Sequence, residues 1–399
     1  MQLNLIETVA FAGIVLYAGQ GIRRLIPPLA RYNIPAPVVG GLLVAISLTV
    51  ARNAGYTPLK FDTTLQSPLM IAFFASIGFA ASLSLLRLGG PQVLIFFLAA
   101  SGLAVLQNVV GVLLSYPLGV PPLFGVLAGS VTMAGGPATG LAFAPLFEQA
   151  GVVGAPAIAI AAAMLGIVAG GLVGGPLGTF LILRHGLKPH AVASSPGARA
   201  DSHAPLASSH EDHGRGVLKH VVLLLATLWV GSWVSQGFKA LGVTLPGYIG
   251  AMLTAAFLRN LDDRTRWLRL SGRTLEELGG AALSLFITMA LMTLELWKLA
   301  AVALPLLILV AVQTAFTVAF SLWPMFRLMG RDYDSAVMSG GMGGFMLGTT
   351  ANAVANMEAL VQKYGPAPRA FLVVPMVGAF FMDFSNALII TTFLNLLRV

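Results

Sequence analysis

The hydropathy pattern constrains this chain more than any other feature of its sequence. Several apolar runs are long enough to cross a bilayer, which takes roughly 17–25 helical residues. They lie near residues 3–22, 35–51, 68–86, 92–116, 156–183, 217–238, 244–258, 279–297, 299–322 and 370–396. Only 10% of the 399 residues are charged, whereas soluble domains have about 25%. The sequence therefore predicts an all-α polytopic membrane protein with about ten transmembrane helices.

The placement of basic residues favours one orientation of these helices. With the N-terminus outside, 18 of the 23 Lys and Arg residues fall in inside loops and 5 fall outside. This bias is the one that the positive-inside rule describes. We therefore expect both termini outside and the central linker in the cytoplasm. Basic charge placed in this way orients a protein in the lipid bilayer and indicates no nucleic-acid partner.

A linker of different composition divides the chain into two halves. The stretch 184–216 is rich in Ala, Ser, Pro and His. The irregular spacing of its histidines favours a solvated cytoplasmic linker over a metal site or a pH sensor. The halves 1–183 and 217–399 each contain five of the apolar runs. Each also contains a Gly-rich segment that is too polar to face lipid, near 122–146 and near 333–357.

Short motifs recur in the same order in the two halves. Gln107 and Gln313 take corresponding places inside apolar helices. The matching segments are 34–45 with 245–255, 73–86 with 285–298, and 135–140 with 343–348. An odd number of spans per repeat places the second copy upside down in the membrane. We therefore predict two inverted five-helix repeats, each with a re-entrant hairpin whose tip reaches the midplane.

The Gly-rich segments contain the residues that we expect to bind substrate. Irregular backbone survives in hydrocarbon only where protein or water surrounds it, and transporters place their ligands at such breaks. Helix ends there expose N–H groups to a carboxylate, and hydroxyl groups suit a small cation such as sodium. The candidate substrate-binding residues are Ser130, Thr132, Gly135, Gly136, Thr139, Gly140, Gly343, Gly344, Gly348, Thr349, Thr350 and Asn352. The alternative is close helix packing, which explains residues 169–176 better than 339–357.

Two carboxylates lie within apolar runs. Asp383 is in the middle of the last run, and Asn386 follows one helical turn later. A charge at bilayer depth costs roughly 2.5–3.5 kcal/mol, so a functional role is the default interpretation. We expect Asp383 to contact a cation, or alternatively a substrate amine. Glu295 lies near a helix end beside Trp297, where interfacial anchoring explains it as well.

The sequence contains no motif that indicates catalysis. It has no HExxH motif, no G-x-S-x-G elbow and no Walker motif. Transport energy would therefore have to come from an ion gradient. We expect a transporter rather than an enzyme, with no cofactor apart from the coupling ion. A passive channel is a further alternative, but it would not need a carboxylate buried beside paired hairpins.

Several segments together resemble the bacterial sodium/glutamate symporter family. They are NIPAPVVGGLLVA, DTTLQSPLMIAFFASIGF, VLAGSVTMAGGPATG, ANAVANM and FLVVPMVGAFFMDFSNALI, and they occur in order over nearly the whole chain. The resemblance implies a bacterial inner-membrane symporter that takes up L-glutamate with sodium. It also implies a homodimer in which a transport domain moves against a fixed scaffold, as in an elevator mechanism.

The resemblance also assigns roles to individual positions. The matching positions are Gly135, Gly136, Thr139, Gly140, Gly344, Gly348, Thr350, Asn356, Asp383 and Asn386. Of these, Asn356, Asp383 and Asn386 are expected to bind sodium. The chain departs from the family pattern at four positions: Pro137 and Met342 stand where the family pattern has His, and Ala138 and Met346 stand where it has Gly. Because these departures lie in the binding segments, a related di- or tricarboxylate is the alternative substrate.

Overall fold

The computed structural model describes residues 2–55, 59–189, 210–240 and 246–397. Its α-helices, in chain order, are α1 (Leu5–Leu25), α2 (Pro27–Arg31), α3 (Ala36–Asn53), α4 (Gln66–Ala80), α5 (Leu83–Ser115), α6 (Pro122–Val126), α7 (Gly136–Gln149), α8 (Ala155–Arg184), α9 (His210–Ala240), α10 (Tyr248–Thr265), α11 (Gly272–Met292), α12 (Ala303–Phe320), α13 (Phe326–Leu328), α14 (Tyr333–Phe345), α15 (Thr350–Tyr364), α16 (Pro368–Met376) and α17 (Met382–Leu397). A 3-10 helix at Leu296–Val302 precedes α12. Short π-helical segments follow α6, α12 and α16, at Leu127–Val131, Ser321–Met325 and Val377–Phe381.

The helices have the lengths and composition of a polytopic membrane protein. In the described part of the chain, seven segments are long and apolar enough to cross a membrane. They are Leu5–Leu25, Ala36–Asn53, Gly90–Ser115, Ala155–Arg184, Gly216–Ala240, Gly272–Met292 and Ala303–Leu328. Shorter apolar helical segments are Gln66–Ala80, Pro122–Val131 and Met382–Leu397. The prediction of an all-helical membrane protein is therefore confirmed.

Some predicted runs are interrupted at points that hydropathy does not reveal. The predicted span 68–86 ends at Ala80, because the chain turns before α5 begins at Leu83. Within α5, Gly90 has a φ of 62° and precedes a proline, so the helix bends there. The predicted span 370–396 consists of α16 and α17, which are joined by a π-helical segment. Apolar composition is the same on both sides of each interruption, so only the backbone geometry shows it.

The predicted linker is only partly covered by the described residues. Helix α8 ends at Arg184, and α9 begins at His210, before the apolar run that starts near residue 217. The last residues of the predicted linker are therefore helical. Residues 190–209 lie outside the described part of the chain.

Of the carboxylates in apolar runs, Glu295 forms an ion pair with Lys298 at the start of the 3-10 helix.

The long helices pack into two groups with matching internal contacts. The first helix group contains α1, α3, α4, α9, α10 and α11, and the second contains α5–α8 and α12–α17. Within the first group, α1 packs against α3 as α9 packs against α10. In the same way, α3 packs against α11 as α10 packs against α4. The two groups meet where α7 contacts α11 and where α4 contacts the π-helical segment after α16.

A row of glycines on α8 allows close approach of the second Gly-rich segment. These glycines recur every four residues, at Gly166, Gly170, Gly174 and Gly178. A Cβ built on Gly174 would lie 2.6 Å from the carbonyl oxygen of Gly340, which belongs to α14. Such contacts between small residues let helix backbones touch in membranes. The structure thus agrees with the packing interpretation of residues 169–176.

Candidate functional site

Both Gly-rich segments form two helices joined by a break. The first break, residues 132–135, separates the π-helical end of α6 from α7, and the second break, residues 346–349, separates α14 from α15. Gly136 begins α7 with a φ of 65°. A Cβ built on Gly136 would lie 3.4 Å from the carbonyl oxygen of Gly348. The start of α7 and the second break are therefore in direct contact.

A cavity of about 280 Å³ lies beside this contact. Its volume is close to the lower limit of ordinary ligand pockets, roughly 300 Å³, so it fits a small solute. The first Gly-rich segment lines it with Ala134, Gly135, Pro137, Ala138 and Thr139, and the second with Phe345, Gly348, Thr349 and Thr350. The first helix group contributes Pro35, Pro37, Phe73, Phe74, Ile77, Leu283, Ser284 and Ile287. The cavity therefore lies between the two helix groups.

The cavity combines two helix starts with one carboxylate. Helix α7 begins at Gly136, between the lining residues Gly135 and Pro137, and α15 begins at the lining residue Thr350. Thr349 caps α15, because its side chain accepts the N–H of Asn352 at 3.4 Å. Among the lining residues that the structure describes, Asp383 is the only charged one. The positive ends of two helix dipoles and one negative side chain therefore face the same small volume.

A buried polar cluster is centred on Ser130, just before the first break. The Ser130 N–H donates to Asn108 Oδ1 at 2.9 Å, and Asn386 Nδ2 donates to the Ser130 carbonyl at 3.0 Å. All three residues are buried. Within the described chain, Ser130 Oγ and Asn386 Oδ1 are buried oxygens with no hydrogen-bond partner. Unpartnered oxygens next to broken helix backbone are the type of ligand that a sodium ion uses in transporters.

The predicted site residues fall into three places. Those that line the cavity are Gly135, Thr139, Gly348, Thr349, Thr350 and Asp383. Gly136 forms the contact between the segments, and Ser130 and Asn386 form the polar cluster. The predicted residues that instead lie in helix packing are Thr132, Gly140, Gly343, Gly344, Asn352 and Asn356. The structure does not bring this last set to the cavity.

The two asparagines of α15 bond to α8. Asn352 Nδ2 donates to the Ile167 carbonyl at 2.7 Å, and Asn356 Nδ2 donates to the Gly170 carbonyl at 2.9 Å. Their common helix face indicated a need for polar partners. The row of glycines on α8 makes both bonds possible, because it lets the second Gly-rich segment come close enough to reach the backbone carbonyls of Ile167 and Gly170. Thr132 likewise bonds locally, and its hydroxyl donates to the Leu127 carbonyl at 2.8 Å.

Some residues of the site gave little signal in the sequence. The apolar wall residues Phe73 and Ile287 sit in runs that look like any other spanning helix. Asn108 is the exception, because an amide inside an apolar run is costly unless it finds a partner. Its neighbour Gln107 was singled out by the comparison of the two halves, whereas Asn108 was not.

Comparison with known proteins gives one consistent result. A model of the family described as sodium/glutamate symporter matches residues 1–366. The sodium/glutamate symporter of Escherichia coli strain K12 is 40% identical, over 99% of this chain and 98% of its own length. The one from Haemophilus influenzae is 39% identical, over 96% of this chain and 95% of its own length. Because these matches cover almost the whole chain, the protein belongs to the sodium/glutamate symporter family.

Proposed function

We propose that the protein is a secondary-active symporter that takes up L-glutamate together with sodium. The observation that carries this proposal is the cavity at which the starts of α7 and α15 face Asp383. The relatives from Escherichia coli and Haemophilus influenzae are named sodium/glutamate symporters, which supports both the substrate and the coupling ion. The family is one of transporters and not of enzymes.

The carboxylates of the substrate bind at the starts of the two helices. The first N–H groups of a helix have no partner within it and carry partial positive charge, so they attract anions. Thr139, Thr349 and Thr350 add hydroxyl groups to the same wall. Pro137 has no N–H group, and the N–H of Asn352 is already accepted by Thr349, so each helix start loses one of its first three donors. The two segments therefore make similar contributions to carboxylate binding.

Sodium binds between the cavity and the polar cluster. Asp383 supplies the negative charge, and Asn386 follows it by one helical turn. Asn386 Oδ1 and Ser130 Oγ of the polar cluster supply neutral oxygens. Asn356 is left out of this assignment, because its amide bonds to the Gly170 carbonyl of α8 and, among the described residues, it belongs neither to the cavity lining nor to the polar cluster. A carboxylate buried at membrane depth is most easily retained when a cation balances it. Coupling follows if the ion and the substrate share the Asp383 wall of the cavity.

The four departures from the family pattern affect the cavity unequally. Pro137 and Ala138 line it, whereas Met342 and Met346 are fully buried in helix packing and are absent from its lining among the described residues. The affinity for a related di- or tricarboxylate would therefore depend most on Pro137 and Ala138. Competition of labelled L-glutamate uptake by malate or citrate separates the two substrates, because only glutamate carries an amine.

The packing of the helices supports the proposed architecture. The matching contacts of α1–α3 with α9–α10 are those that two inverted five-helix repeats would make. In that arrangement the Gly-rich segments are re-entrant hairpins, and the second helix group carries the site past the first in an elevator-type movement. We further propose a homodimer formed through the first group. The positive-inside bias supports termini outside and a cytoplasmic linker in the inner membrane.

The proposal is tested with Asp383→Asn in proteoliposomes under an inward sodium gradient. We expect uptake of labelled L-glutamate to be lost. We also expect thermal stability to be unchanged or higher, because the amide removes the cost of a charge within an apolar span. Glu358→Gln is the matched control, since it makes the same charge change at an exposed position of α15. Uptake by Asp383→Asn at the rate of the original protein would contradict the proposal.

A further inference from the structure

Two consecutive polar residues in the middle of α5 contact both Gly-rich segments. Gln107 and Asn108 are fully buried. Gln107 Nε2 donates to the Met346 carbonyl at 2.9 Å, and Asn108 Oδ1 accepts the N–H of Ser130 at 2.9 Å. Met346 is the first residue of the second break, and Ser130 lies just before the first break. One point on α5 therefore holds the backbone on both sides of the cavity.

The position of Gln107 is itself fixed by α12. Gln107 Nε2 also donates to Thr317 Oγ1 at 3.1 Å, and Gln313 Nε2 donates to the Gln107 carbonyl at 2.6 Å. These bonds join α5 and α12, which pack against each other. The glutamine is therefore anchored on one side before it holds the second break on the other. A side chain fixed in this way leaves its two partners little freedom to move relative to each other.

Both bonds go to backbone groups that broken helices leave without an ordinary partner. Met346 follows the end of α14, where carbonyl groups have no donor four residues further along. Ser130 follows Gly129, whose φ of −95° and ψ of −132° leave the helical region. Each side chain thus completes the hydrogen bonding of a break and at the same time sets its distance from α5.

The equivalent position of the other half does not repeat this arrangement. The residue after Gln313 is Thr314, and its hydroxyl donates to the Val310 carbonyl of its own helix at 2.8 Å. In the described structure, the amide and hydroxyl bonds of α12 near this point do not reach a break of the first segment. The link between the two breaks therefore depends on α5.

We propose that Gln107 and Asn108 are positioning residues that hold the two breaks at a fixed position relative to each other on either side of the cavity. This inference rests on the proposed symport function, because it assigns one of the two residues to the sodium site and the other to the glutamate site. Asn108 holds Ser130, which belongs to the polar cluster proposed for sodium. Gln107 holds Met346, which is three residues before Thr349 in the wall proposed for the carboxylates. Loss of Asn108 should weaken sodium binding, and loss of Gln107 should weaken glutamate binding.

The test compares Asn108→Leu and Gln107→Met, which keep the size of each side chain and remove its hydrogen bonds. For Asn108→Leu we expect the half-saturating sodium concentration to rise at least fivefold, with the KM for glutamate at saturating sodium within twofold of the original. For Gln107→Met we expect the reverse pattern. Thr314→Val is the matched control on α12 and should change neither constant. Asn108→Asp keeps an acceptor for the Ser130 N–H and should bring the sodium constant back to within twofold.

Several outcomes would overturn the proposal. These are unchanged constants in both variants, the same constant raised in both, or an Asn108→Asp protein that behaves like Asn108→Leu. Sodium and glutamate titrations of thermal stability in detergent give a readout that does not need transport. If the original protein were stabilised by neither ligand, the symport proposal would fail. If it were stabilised by both and the variants lost neither response, only the positioning proposal would fail.

Discussion

The left-handed backbone of Gly136 allows a quantitative test of the contact between the two Gly-rich segments. Its φ is 65°, and a built Cβ would lie 3.4 Å from the Gly348 carbonyl oxygen and 3.8 Å from Thr349 Cγ2. A non-glycine residue in this conformation costs roughly 1–2 kcal/mol. The two distances are ordinary van der Waals contacts, so the added methyl group causes little collision. Backbone strain is therefore the dominant effect of Gly136→Ala.

The strain can relax only by turning the peptide at the start of α7. That movement changes the wall of the cavity, because Gly135 and Pro137 both line it. If all of the strain opposes glutamate binding, the KM rises by a factor of roughly 5 to 30, which corresponds to 1–2 kcal/mol. Gly119→Ala is the matched control. Gly119 has a φ of 66° with nothing within 4 Å of a built Cβ, so it has the same strain and is not in the cavity lining.

The assay measures two quantities for each variant: the thermal unfolding midpoint in detergent and the KM of sodium-driven glutamate uptake. We expect both variants to lower the midpoint by a similar amount. Only Gly136→Ala should raise the KM. A KM within twofold of the original for Gly136→Ala, at a midpoint as low as that of Gly119→Ala, would refute the reasoning. It would mean that the contact between the segments does not shape the binding site.

Two further predictions concern the support of the second Gly-rich segment. Gly174→Ala should destabilise the protein by roughly 1–3 kcal/mol, because the new Cβ would lie 2.6 Å from a backbone oxygen of α14. Gly175→Ala is the control and should be neutral, because a Cβ there has open space. Equal unfolding midpoints of the two variants would contradict the close packing. Asp332 caps α14 and accepts from Arg369 Nη2 at 2.5 Å. Burial raises the pKa of Asp332, but hydrogen bonds from the first turn of α14 and from Arg369 outweigh it and hold that pKa below its ordinary value. The ionised carboxylate therefore stabilises the fold above the unfolded-state pKa of about 3.9, and this contribution is lost as the pH falls through the folded-state pKa. Asp332→Ala should lower the free energy of unfolding by about 1 kcal/mol at pH 7, and the difference should shrink in acid; a difference that stays constant down to pH 3 would argue against this role.

The sequence by itself determined the class of protein and the segments that matter. Long apolar runs must become helices in lipid, because only a helix satisfies the backbone of a single segment there. The same rule marked the Gly-rich segments as places that must be surrounded by protein or water. The cost of a charge within an apolar run also indicated a functional role for Asp383. These conclusions need only local composition and the properties of the bilayer.

The sequence could not determine which face of each broken helix meets the cavity. Asn352 and Asp383 looked alike as polar residues in apolar surroundings, yet Asn352 bonds to Ile167 and Asp383 lines the cavity. The partner of Asn352 is 185 residues away in the chain. A glycine row on α8 decided the outcome, because it lets the backbones approach closely enough for the amide to reach a carbonyl of that helix.

The link between the two breaks was decided by tertiary structure in the same way. Gln107 reaches a carbonyl 239 residues away, and Asn386 reaches one 256 residues away. Hydropathy reports only that an amide in an apolar run must find a partner. Which partner it finds depends on helix rotation and on close approach between distant segments, and packing sets both. The chemistry of the site is therefore local in the sequence, whereas its geometry is a property of the fold.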